Sequence, residues 1–167
     1  PDTGATIRTF TNPGVTVSGM AFLDGEIFVL TDGGATYGPK ITVLDYTSGA
    51  VARELSPSRV VEGLAASGSA LYGTNGNALY RIDPVTGSPA LVATLSQSQF
   101  VEGIAVIGDE LYVSNPSQIV VYNLSPFAYD RTMSVTPNID LEALGGDGGA
   151  DPVLFSLTES QTVTVPG

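Results

Sequence analysis

Four tandem units of about 40 residues, four short strands in each unit, and no helical stretch predict an all-β fold, a four-bladed β-propeller with four antiparallel strands per blade. The period is read from Val61-Glu62-Gly63-Leu64-Ala65, which returns as Val101-Glu102-Gly103-Ile104-Ala105 and, more loosely, as Leu141-Glu142-Ala143-Leu144-Gly145. An earlier copy is Val17-Ser18-Gly19-Met20-Ala21. Each copy is the expected first strand of its blade.

A turn and an aromatic strand follow each copy: Glu26-Ile27-Phe28-Val29, Ala70-Leu71-Tyr72, Glu110-Leu111-Tyr112-Val113 and Val153-Leu154-Phe155. Third strands are expected over 41–45, 79–83 and 119–123, each closing near an Asp or Asn. Turns such as Asp45-Tyr46-Thr47-Ser48-Gly49 and Asp83-Pro84-Val85-Thr86-Gly87 come next. There Pro presets one dihedral, Gly accepts a positive φ, and Asp bonds the backbone two residues on. Fourth strands are expected over 51–55, 91–95 and 131–135.

The last unit reaches its third strand at 160–165 and lacks a fourth. Residues 5–10 match 51–55, with Phe10, Leu55, Leu95 and Val135 at equivalent positions, so the N-terminal strand is expected to complete the last blade. The blades then fall at about 15–56, 57–97, 98–136 and 137–167 plus 1–12, in a single domain. The same strand is also able to pair with the last blade of a neighbouring copy; closure within one chain costs less entropy.

Composition narrows the function. The 167 residues carry 6 Lys and Arg against 17 Asp and Glu, a net charge of −11 with a pI near 4.1. Such a surface repels phosphates and anionic lipid, so neither nucleic-acid binding nor membrane insertion is expected. With no Cys and no His, disulfides, thiolate metal sites, Cys nucleophiles and Ser-His-Asp triads are excluded. A surface rich in Ser, Thr and Gly, with Lys40 its one lysine, suits an extracellular or cell-surface protein.

The segments Val101-Glu102-Gly103-Ile104-Ala105-Val106, Leu111-Tyr112-Val113-Ser114-Asn115 and Ile119-Val120-Val121-Tyr122-Asn123 resemble the repeats of NHL-type propellers. Asp83-Pro84-Val85-Thr86-Gly87 resembles the turn of YVTN-type and PQQ-like repeats. The resemblance implies the fold and a binding role; it supplies no catalytic set.

Glu62, Glu102 and Glu142 recur at one position in the first strand, with Ser18 as the neutral fourth member. Turned inward together, three carboxylates repel, and a hard cation such as Ca²⁺ in the central channel would relieve them. The simpler reading is three solvated carboxylates at a channel mouth. A glutamate before glycine in this strand also resembles the metal ligand of gluconolactonase-type propellers, whose further Asn and Asp ligands have no counterpart here.

Gly145-Gly146-Asp147-Gly148-Gly149-Ala150-Asp151 lacks EF-hand spacing and reads as a loop, as does Asp32-Gly33-Gly34. Phe28, Tyr72, Tyr112 and Phe155, one per blade, are expected in the core between blades. Tyr37, Tyr46 and Tyr129 near turns are expected at contact surfaces, and Asn123-Leu124-Ser125 fits a glycosylation sequon. The sequence thus points to a non-enzymatic extracellular propeller working by protein contact, self-associating into oligomers or filaments. A ligand- or Ca²⁺-binding module of a larger secreted protein is the alternative, and a metal-dependent lactonase-like hydrolase the third.

Overall fold

A computed structural model describes residues 9–11, 16–31, 38–60, 62–98 and 101–134. Twelve strands form three sheets. The first holds β1 (Val17–Leu23), β2 (Glu26–Thr31), β3 (Lys40–Asp45) and β4 (Val51–Leu55). The second holds β5 (Glu62–Ser67), β6 (Ala70–Asn75), β7 (Ala78–Ile82) and β8 (Pro89–Thr94); the third holds β9 (Gly103–Ile107), β10 (Glu110–Asn115), β11 (Gln118–Leu124) and β12 (Phe127–Ser134). Each is an antiparallel meander in sequence order. The described residues therefore contain no helix and three blade-like sheets. The fourth expected sheet, with Glu142 and Phe155, lies outside the described residues.

The sheets stack through their first strands, β1 against β5 and β5 against β9. Glycine makes the approach possible. A Cβ on Gly19 would stand 2.6 Å from the Leu64 nitrogen, and one on Gly63, whose φ is +56°, would stand 3.1 Å from Ile104 Cγ1. Val61-Glu62-Gly63 therefore repeats because only glycine leaves room for the next blade.

Period-2 patterning gives each sheet two faces. One face of the first sheet carries Ala21, Phe28, Leu30 and Val43, which pack with Val60, Leu64, Leu71 and Ile82 of the second-sheet repeat. The second sheet repeats the relation toward the third, where Ala65 and Leu79 meet Ile104, Val106, Leu111 and Tyr122. Every blade thus has a forward face and a back face, and forward packs on back. Of the aromatics expected between blades, Phe28 is buried between the first two sheets and Tyr72 is half-buried against the third; Tyr112 is buried on the forward face of the third sheet, beyond which no blade is described.

The fourth strands depart from expectation. The residues opposite Ile41, Leu79 and Ile119 are Leu55, Ala93 and Met133, so Leu95 does not share the register of Leu55, although both are buried; Val135 lies outside the described residues. β8 starts at Pro89 and β12 at Phe127, earlier than the expected 91 and 131. In the third sheet Leu124 pairs with Phe127 across only Ser125-Pro126, where the other two sheets use a longer Asp-to-Gly turn. Alternation alone does not reveal that shortening. A bulge in each fourth strand, at Ala52, Val92 and Asp130, further offsets the count.

Candidate interaction surface

The acidic positions come first. Glu62 opens β5 with its side chain in solvent, while its carbonyl accepts a 2.8 Å bond from Thr74 Oγ1. Glu102 is also exposed, and its N–H donates to the Ser114 carbonyl at 3.0 Å. Ser18 is half-buried in β1, and Glu142 lies outside the described residues. Among the described residues no three acidic side chains gather into a set able to hold a metal ion.

Two basic residues do organise carboxylates. On the forward face of the first sheet, Arg53 of β4 reaches across to Glu26 of β2, with Nη2 donating to Oε2 at 2.7 Å and to the Pro84 carbonyl of the next sheet's turn at 2.9 Å. Its guanidinium also stands 5.6 Å from the Phe28 ring centroid. The hydrogen bond from Arg53 holds the Glu26 carboxyl below its ordinary value. In the third sheet Arg131 repeats the arrangement, donating to Glu110 Oε1 at 2.6 Å, bonding Asp130, and lying 5.9 Å from the Tyr112 ring. Bonds first from Arg131 and then from the Tyr112 hydroxyl, at 2.6 Å, bring Glu110 down to about 2. Burial, followed by the bond to Glu110, pushes the Tyr112 hydroxyl up. The second sheet has Ala70 where these have glutamate, so the tie is absent there. These ties are structural, since each guanidinium is engaged by its own sheet.

Sequence reading missed the back face of the first sheet. Met20 occupies the position of Leu64 and Ile104, both buried, yet it is 65% exposed, and Phe22 is 57% exposed. Along the same face Phe22, Ile27, Leu44 and Val51 form one cross-strand row. An apolar cleft of about 800 Å³ runs along the first strands of all three sheets, lined by Met20, Phe22, Ile27 and Tyr46 of the first, Leu64 of the second and Ile104 of the third. Tyr46, expected at a contact surface, stands edge-on to Phe22 at 5.3 Å and tilted against Phe10 at 6.2 Å. Thr42, on this face and 1% exposed, has no hydrogen-bond partner for its hydroxyl among the described residues.

Phe10 supplies the signal that was legible. It packs with Ile27, Val29 and Leu44, and a Cβ on Gly49 would come 3.0 Å from its ring. One blade further on, Leu55 stands in the same relation to Gly87, at 2.8 Å. Phe10 therefore meets the first sheet's turn as Leu55 meets the second's. Tyr129 is exposed on β12, its hydroxyl 3.1 Å from Thr132 Oγ1; Asn123 is half-buried on β11, and Tyr37 lies outside the described residues.

No protein-family profile matches the chain, and no curated protein matches it as a relative. Solved structures do resemble it. Glutaminyl cyclase of Myxococcus xanthus is 20% identical with a TM-score of 0.57, over 77% of this chain and 56% of that one. Hydrazine synthase of Kuenenia stuttgartiensis is 17% identical with a TM-score of 0.55, over 85% of this chain and 41% of its own. The computationally designed Ika4 protein is 14% identical with a TM-score of 0.53, over 84% and 86%. This chain thus spans about half the length of the two natural proteins. At these identities the likeness is one of fold. With three four-stranded antiparallel sheets stacked through their first strands, it identifies a propeller repeat protein.

Proposed function

We propose that this chain is a non-enzymatic propeller unit, extracellular or at a cell surface, that works by protein contact and associates with copies of itself. In this reading residues 137–167 and 1–12, together about one repeat in length, make a fourth blade that closes the ring. The observation that carries it is the seat of Phe10 on Gly49 and Tyr46, which supports an N-terminal strand serving as the outer strand of the blade before the first. Such a blade would lie between two apolar faces. One is the forward face of the third sheet, where Ala105, Tyr112, Ile119 and Val121 are already buried, and the other is the back face of the first, where Met20 and Phe22 stand exposed beside Ile27.

A closed ring has no blade face left over, so its contacts are made by rims and end surfaces. Exposed apolar side chains on such surfaces, in a chain without histidine or cysteine, favour binding over chemistry. Sedimentation velocity of the full chain over a wide concentration range tests this. Species larger than the 17.2 kDa monomer are expected to grow with concentration; 17.2 kDa particles at every concentration would overturn self-association. Lactone substrates assayed with and without chelator test the enzymatic alternative, and no turnover is expected.

A further inference from the structure

The outer strands of the three sheets are the edges that another chain can reach, and they are not guarded alike. All three carry a bulge, which twists an edge away from a would-be partner. Two carry charge as well. β4 has Arg53 and Glu54, the latter 2.7 Å from Lys40 Nζ, and β12 has Asp130 and Arg131. β8 reads Pro89-Ala90-Leu91-Val92-Ala93-Thr94 and has none. From Pro84 to Val101 the chain holds no charged residue at all; Asp83 and Glu102 bound the run, and Arg81 lies on β7. At the bulge itself β12 places Asp130, whereas β8 places Val92. Apolar side chains are uncovered on this rim, with Leu91 64% exposed, Val92 37% and Val85 of the preceding turn 71%.

We propose that β8 is the strand through which two copies of this chain associate, edge to edge. The inference rests on the self-association proposed above and names its surface. Charge selects the occupant. Two copies each at −11 repel wherever acidic rims meet, and the β8 rim is where they approach without a like charge in the contact. An antiparallel pair of identical strands is self-complementary about a two-fold axis. With the axis passing beside Leu91 or Val92, identical residues face each other and each copy's exposed apolar pair meets the other's. Added salt screens the remaining repulsion and strengthens the association.

The test compares the full-length protein with Leu91→Lys, Val92→Lys and Thr132→Lys by sedimentation velocity, at low and at high salt. Lysine on an edge is the usual guard against strand addition, and here two lysines would face each other across the axis. Leu91→Lys and Val92→Lys are expected to lose the larger species while keeping the melting temperature, because both side chains are in solvent. Thr132→Lys, on the already charged β12, is expected to associate as the parent does. If the parent associates and the β8 variants do so equally, the surface is wrong and self-association stands. If Thr132→Lys abolishes association as fully, β8 is again overturned as the contact. A parent that is monomeric throughout overturns both proposals.

Discussion

The two outward faces of the three-sheet stack look alike in sequence and differ in structure. The forward face of the third sheet is buried, with Val121 at 0%, Ile119 at 4% and Tyr112 at 7% exposure, although the second sheet lies on the other side. The back face of the first sheet has a buried strip of Ile27, Val29 and Leu44, yet leaves Met20, Phe22 and Val51 more than half exposed. Identical repeat positions also differ: Met20 shares the register of buried Leu64 and Ile104 yet is 65% exposed. A buried Leu or Ile contributes roughly 1.5–3 kcal/mol by leaving water, and Met20 at the same register contributes little of that.

Substitutions on the two faces sharpen this contrast, and the largest effects belong to the third sheet. Tyr112→Ala is expected to cost about 3–5 kcal/mol and Ile119→Ala about 2–5 kcal/mol, read from urea unfolding midpoints. Met20→Ala, in contrast, is expected to stay within about 0.5 kcal/mol of the parent while its face is open as described. A Met20→Ala loss as large as that of Ile119→Ala would mean that the two faces are equally covered in solution, as the proposed closed ring requires, and the contrast would be one of the described residues alone.

The middle of the scale belongs to Phe10. Its ring sits where an outer strand of a preceding blade belongs, so Phe10→Ala is expected to destabilise by roughly 1–3 kcal/mol. Phe10→Leu, which restores the residue type found at Leu55, is expected to recover most of the loss. Thermal unfolding checks both. A Phe10→Ala protein that melts with the parent would remove the support for an N-terminal latch.

Much of the fold was written in spacing. The recurrence of Val-Glu-Gly-aliphatic-Ala located β5 and β9, and its glycine answers a steric demand seen at both described junctions, at Gly19 and Gly63. Aromatic residues at the third position of β2, β6 and β10 were read correctly as core, since one bulky ring per blade fills one gap between sheets. The outer strands resisted. Their register depends on a bulge and on turn length, and neither leaves a mark in an exposed strand whose residues alternate weakly. The site was less legible still. Glu62 and Glu102 stood out by repetition, yet they point to solvent, while Met20 and Phe22 were hidden by matching the core positions Leu64 and Ala66. Whether such a residue is covered depends on the neighbouring blade, which its own repeat does not encode.

The smallest effect concerns the two arginine ties, and it carries a sign. Glu110 is held near 2, well below the ordinary 4.5, because Arg131 and then Tyr112 donate to its charged form. A carboxyl depressed on folding adds stability that is present in full above about 4.5, and that stability is lost as pH falls through about 2. Glu110→Gln is therefore expected to be slightly less stable than the parent at neutral pH, by less than about 1 kcal/mol for a pair this open to water. The gap should close steadily between about pH 4.5 and 2, seen in urea midpoints taken across that range. Glu26 is shifted in the same direction by Arg53, so Glu26→Gln should narrow in the same sense. Arg53 also reaches the Pro84 carbonyl in the next sheet, which the Arg131 tie has no counterpart for among the described residues. Removing Arg53 should therefore loosen the junction between sheets as well as the ion pair. An Arg53→Ala loss that vanished with acid as completely as that of Glu110→Gln would show that the Pro84 bond contributes nothing.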